Sequence, residues 1–156
     1  MKIEFNKTYH FDIPTDQFRW CDMDKEELIE LFRDGRVASF FFERQIPHWF
    51  PELTFIPGDK KGYDHIDEQG NKYDAKGLTK GGCKFMPSSM LGTGRKFDAE
   101  SAHAHADEIS YIIHDIREFP SINLIFKKGS DLTKEFPNCS ISAVHGRKKL
   151  FNGQGK

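Results

Sequence analysis

Apolar positions along this chain change period several times, and the changes mark out its elements. From Asp24 the spacing is helical: Leu28, Leu31 and Phe32 form a stripe, Asp24 and Glu27 are spaced as a capping box, and Gly35 stands where the helix can end. A Phe-dense stretch over 37–45 predicts a second helix, stopped before Pro47 because the residue preceding a proline avoids the helical region. Weak alternation over 2–12 predicts a first strand or arm, and 52–56 a short strand. Pro57-Gly58-Asp59-Lys60-Lys61-Gly62 is a loop, and 62–76 alternate as a hairpin turning near Gln69-Gly70-Asn71. Asp98 suits the N-cap of a helix reaching Ile109. Residues 111–116 and 122–126 read as strands around Phe119-Pro120, and 139–144 as an edge strand. Helices and strands interleave, which predicts an α/β fold with a mixed central sheet flanked by helices.

Composition narrows this to one soluble domain. The 156 residues are 37% apolar and 30% charged, and fifteen of them are phenylalanine, which predicts a well-filled core. The expected division is a helical N-terminal part over 1–45, a catalytic core over 52–126 and a basic C-terminal segment over 127–156. No apolar run approaches the roughly 20 residues that span a bilayer, and Met1–Asp12 carries no signal-peptide pattern, so no membrane partner is expected. Cys21, Cys83 and Cys139 are odd in number and widely spaced, which fits reduced thiols in a cytoplasm.

The net charge of −1 hides an uneven distribution. Lys76, Lys80, Lys84, Arg95 and Lys96 follow one another with no acid between, and Arg147, Lys148, Lys149 and Lys156 follow Glu135 in the same way. Such runs are either a solvated lysine surface or a basic face for a polyanion.

The chemistry concentrates in the hairpin. Asp64 lies on its first strand; Asp74 and Lys76, two apart on the second, share one face. Two carboxylates and a lysine at one spot could hold a hard cation beside an activated water, the minimum needed to cut a phosphodiester. The longer pattern Gly-x-Asp-x-Ile-Asp-x-x-Gly-x-x-Tyr-Asp-x-Lys is filled by Gly62, Asp64, Ile66, Asp67, Gly70, Tyr73, Asp74 and Lys76, with Leu78-Thr79-Lys80-Gly81 just beyond. Over residues 62–81 it resembles the active-site hairpin of the PD-(D/E)xK nuclease superfamily, and within it the type II restriction endonucleases. Tyr63 stands where the family name has proline, and Gly82–Ser89 replaces a histidine run used for base recognition in such an enzyme. A second acid-x-lysine, Asp59-Lys60-Lys61, sits in a Pro-Gly loop and reads as a turn.

The resemblance implies a restriction-endonuclease-like fold and Mg²⁺-dependent hydrolysis of duplex DNA. Asp64, Asp74 and the Ala75 carbonyl would hold the metal. Lys76 would orient the nucleophile, stabilise charge or accept a proton. Glu43, on the Phe-rich segment, is the candidate for an additional acid, with a plain solvated glutamate as the alternative. Asp67 is assigned to the turn. Lys80, Lys84, Ser88, Ser89, Arg95, Lys96 and His103 are the candidate DNA contacts, because lysines take phosphates while serine and arginine can read base edges. A homodimer matches the symmetry of a near-palindromic site, with 24–33 and Phe40-Phe41-Phe42 as the candidate contact, or else ordinary core.

Other readings remain open from the sequence. A Holliday junction resolvase or repair nickase would share the metal site and read DNA shape, and a non-catalytic DNA-binding protein would keep only the fold. His103-Ala104-His105-Ala106-Asp107-Glu108 has the look of a zinc motif, yet on a helix His103 and His105 lie about 200° apart and cannot chelate one ion.

Overall fold

A computed structural model describes residues 1–16, 19–58 and 62–151. The Asp59-Lys60-Lys61 turn and Lys156 therefore lie outside the described residues. The elements in order are β1 (Thr8–Asp12), α1 (Lys25–Arg33), α2 (Gly35–Trp49), β2 (Leu53–Phe55), β3 (His65–Asp67), β4 (Lys72–Leu78), β5 (Cys83–Lys84), a 3₁₀ turn (Ser88–Met90), α3 (Ala99–Asp107), β6 (Ser110–Asp115), β7 (Ser121–Lys128), α4 (Gly129–Glu135), β8 (Ser140–Ile141) and α5 (Ala143–Leu150). The mixed α/β class expected from interleaved elements is what forms. Among the described residues no helix is long and apolar enough to cross a membrane.

Six strands make one mixed sheet in the order β1-β7-β6-β4-β3-β2, and β5 pairs with β8 in a small second sheet. Only β4 and β6 run parallel, joined by the crossover through α3; the other neighbours are antiparallel. The two central strands alternate between two separate cores. Tyr73, Ala75 and Ile112 face α1 and α2, together with Phe32, Phe42, Ile46 and Phe50. Leu78, Tyr111 and Ile113 face α3, α4 and α5, together with Ala102, Ala106, Leu132 and Leu150. β6 is buried on both faces along nearly its whole length, and it takes the polar His114 and Asp115 into the interior beside Tyr111, Ile112 and Ile113.

Local chemistry explains most element ends. The Asp24 carboxylate accepts from the Glu27 amide at 2.8 Å and Glu27 returns the bond to the Asp24 amide at 2.9 Å, a complete capping box. The hairpin turn is organised by Asp67, which accepts from the Gln69 and Asn71 amides, the Asn71 side chain and the Tyr73 hydroxyl. Gly70 sits there at φ +85°, a conformation that a Cβ would strain. Asp67 thus serves the turn, as its place on the strand suggested.

Two helix boundaries differ from the sequence expectation. Gly35 does not end α1; Asp34 is the extended link, and its carboxylate caps the Arg36 amide so that α2 starts at once. Pro47 does not stop α2, which runs on to Trp49. The residues after Phe126 hold more structure than the edge strand expected at 139–144: α4, the two-residue β8 and α5, the last capped by the Ser142 hydroxyl. Of the Phe40-Phe41-Phe42 run, Phe42 is fully buried, Phe41 packs on Phe32 and Phe42, and Phe40 is 65% exposed.

Candidate active site

Strand geometry brings the carboxylates together. β3 and β4 pair His65 with Tyr73 and Ile66 with Lys72, so one step further Asp64 stands opposite Asp74. The chain leaves the sheet at Gly62 and Tyr63, and the Ala75 amide therefore has no strand partner on that side. The Asp64 carboxylate takes it at 2.8 Å. The amide and carbonyl of one strand residue point the same way. The Ala75 carbonyl is thereby directed to the Asp64 side and away from β6. Lys76, one pleat beyond Asp74, closes the group with its ammonium 2.9 Å from Asp74 Oδ2.

These residues line a cavity of about 240 Å³. Glu43, reaching in from α2, shares it with them, as do Ser88 and His105, while Phe40, Phe55 and Tyr63 form an aromatic wall. The Glu43 carboxylate is mostly buried, with Arg44 at 3.9 Å as one ion partner. A larger hollow of about 450 Å³ lies at the other end of β4 and β6, but Asp64, Asp74 and Lys76 take no part in its lining.

Burial sets the electrostatics. It pushes the Asp74 carboxyl up to about 7; Lys76 pulls it down, and Asp64 adds to the rise by charge and as a hydrogen-bond partner. For Lys76, burial acts downward, but Asp74 and Asp64 together outweigh it and hold the ammonium above its ordinary value. Lys76 is thus a fixed positive charge at neutral pH rather than a free base. Cys83, close by on β5, has its thiol pushed up to about 12 by burial and is not a nucleophile.

Two buried histidines lie near these acids. His65 Nε2 meets the Glu43 carbonyl at 2.7 Å. His114 is fully buried beside the Phe42 ring, and among the described residues neither of its ring nitrogens makes a well-formed hydrogen bond, the Ile112 backbone being its weak polar neighbour. Burial lowers the His114 pKa from 6.5 to about 4. A lowered folded-state pKa gives stability that is full above the unfolded value and is lost as pH falls through the folded one. His114 should therefore withdraw on the order of 3 kcal/mol of stability between about pH 6.5 and 4. In His114→Leu the acid-side fall of the melting temperature should flatten; an unchanged slope would show that this ring takes up its proton in the fold as readily as in the unfolded chain.

The candidate DNA contacts divide. Lys80, Lys84, Ser89 and Lys96 are exposed on the segment that leaves β4, and Ser88 also lines the cavity. Arg95 is tied to the Ser88 carbonyl at 2.6 Å. His103 is turned elsewhere: its Nε2 lies 2.7 Å from the Pro137 carbonyl. His105 is the α3 histidine at the cavity. The two lie on opposite flanks of the buried Ala102–Ala106 stripe, and the sequence signals that separation without saying which flank meets the hairpin. Among the described residues no three or more His, Cys, Asp or Glu side chains are grouped so as to hold a metal ion, neither at His103–Glu108 nor by Asp64, Asp74 and Glu43 together. Compared with known proteins, the chain matches no family model and no curated protein.

Proposed function

We propose that the protein is a Mg²⁺-dependent endonuclease of the PD-(D/E)xK type that hydrolyses phosphodiester bonds in duplex DNA, acting as a homodimeric type II restriction enzyme with a restriction-endonuclease-like fold. The observation that carries this reading is the convergence of Asp64, Asp74 and Lys76 in one open cavity, with one carboxylate held near neutrality by burial.

The donor set fits Mg²⁺. Two carboxylates and the Ala75 carbonyl are hard oxygen ligands, and Mg²⁺ is usually held by one or two carboxylates with waters completing its shell. Asp74 is a carboxylate that its surroundings penalise when ionised, and a cation would relieve it. When bound, the ion supplies Lewis acidity and lowers the pKa of a coordinated water. The protein's own contribution is positional and electrostatic. Asp64 is anchored by the Ala75 amide, Asp74 is held by Lys76, and Glu43 adds a third acid at the rim. The Lys76 ammonium, kept charged by its two acids, stabilises negative charge developing on the phosphate and orients the attacking water.

The test is incubation of supercoiled plasmid with the purified protein. Discrete linear fragments with Mg²⁺ and intact plasmid with EDTA are the expected result. Nicked circles from a protein that sediments as a monomer would point to a nickase, and cutting confined to four-way junctions to a resolvase. Binding without cutting under all metals would leave a DNA-binding protein.

Lys80, Lys84, Ser88, Ser89, Arg95 and Lys96 are the proposed duplex contacts, on the loop nearest the site. Its geometry depends on Gly82, at φ +90°, where an added Cβ would sit 2.4 Å from the Ile141 carbonyl oxygen. Lys84→Ala should weaken duplex binding and reduce the slope of log affinity against log salt by about 1. An unchanged slope would remove Lys84 from the interface.

A further inference from the structure

We propose that Pro47 and His65 form a cross-element clip, which makes His65 a positioning residue that sets the acid-bearing helix α2 against the carboxylate hairpin. In an α-helix the amide of residue 47 would bond to the carbonyl of residue 43. Pro47 has no amide hydrogen, yet α2 continues past it, with the Phe50 amide 2.9 Å from the Ile46 carbonyl. The Glu43 carbonyl is thus released from the ladder, and His65 Nε2 lies 2.7 Å from it.

His65 suits this task by its surroundings. It is fully buried, and among the described residues its Nδ1 has no hydrogen-bond partner. A ring nitrogen that bonds to a carbonyl must carry its proton there and donate it. The remaining links are short. His65 pairs with Tyr73 on β4, and its neighbour Asp64 holds the Ala75 amide. Glu43, whose carbonyl is gripped, lines the same cavity as Asp64. One hydrogen bond, 22 residues apart in sequence, thereby connects the helix of the third acid to the strand of the first. The clip stands on geometry alone; its role at a metal site rests on the nuclease reading.

A double-mutant cycle tests both parts. His65→Leu keeps the volume and loses the donor, His65→Gln restores a donor near the Nε2 position, and Pro47→Ala returns an amide to the Glu43 carbonyl. Expected are a lowered melting temperature in H65L, recovery in H65Q, and less than half that loss when H65L is made in the P47A background. Additive losses would overturn the clip. If H65L fails to fold, H65Q must behave as wild type and P47A/H65L must fold; failure of both would overturn it equally. For positioning, Mg²⁺ titrated by calorimetry should bind about ten-fold more weakly to H65L and near normally to H65Q. Unchanged affinity in H65L would reduce the clip to a structural element. Should the wild-type protein bind no Mg²⁺, the nuclease reading falls. Positioning is then read from hydrogen exchange at the Ala75 amide, faster in H65L and restored in H65Q; unchanged exchange would overturn it.

Discussion

Replacing Asp74 by asparagine is expected to reduce Mg²⁺-dependent cleavage by ~10³-fold or more, because the change removes a proposed metal ligand while keeping the shape. Duplex binding without metal should stay nearly unchanged, since phosphate contacts elsewhere supply most of it. The same substitution should raise the melting temperature of the metal-free protein at pH 8. The folded-state pKa of Asp74, about 7, lies above the ordinary 3.8. Its neutral form therefore stabilises the fold fully below about pH 4, and that contribution is lost as pH rises through about 7. Asparagine keeps the neutral form at every pH, so the advantage over wild type should open between those values. Each kcal/mol of relief corresponds to roughly 2–4 °C in a domain of this size. Added Mg²⁺ should raise the wild-type midpoint and leave that of Asp74→Asn in place. Full cleavage by the variant, or a wild-type midpoint indifferent to Mg²⁺, would end the assignment of Asp74 as a metal ligand.

Lys76→Met should reduce cleavage by ~10²–10³-fold through lost charge stabilisation, with Mg²⁺ affinity equal to or tighter than wild type. The direction of the second effect follows from geometry. Lys76 lies 2.9 Å from Asp74 and competes with any other cation for that carboxylate. Its ammonium is held above the ordinary lysine range by Asp74 and Asp64. The wild-type rate at limiting Mg²⁺ should accordingly climb as Asp74 ionises near pH 7, with no second ascending step from a neutral lysine. An alkaline step that Lys76→Met abolishes would identify Lys76 as the proton acceptor instead.

The geometry of the candidate site was legible where its logic is local. A strand alternates every two residues whatever surrounds it, so Asp74 and Lys76 had to share a face, and a tight turn at Asp67–Asn71 had to bring Asp64 opposite them. The Asp24–Glu27 box and the Asp98 cap were readable for the same reason, since each bond joins residues three apart. Gly35 and Pro47 misled because their usual meaning assumes a solvent-facing end. Asp34 could cap the next helix directly, and a histidine 18 residues beyond Pro47 was in place to take the carbonyl that the proline released.

Tertiary structure decided the rest. The approach of Glu43 depends on how α2 crosses the hairpin, and the choice of His105 over His103 depends on which flank of α3 meets it. The two-residue strands β5 and β8 have no period to detect; they exist because the Leu78–Gly82 turn and the Cys139–Ile141 segment are brought side by side. The pKa of Asp74 is the clearest case. An aspartate two residues from a lysine suggests a lowered value by charge, and only packing under the sheet, where water no longer solvates the carboxylate, reverses that sign. Sequence by itself determined which groups meet along one hairpin, because covalent spacing and strand periodicity act over a few residues. Burial and the long-range partners, which act through space, determined what those groups can do.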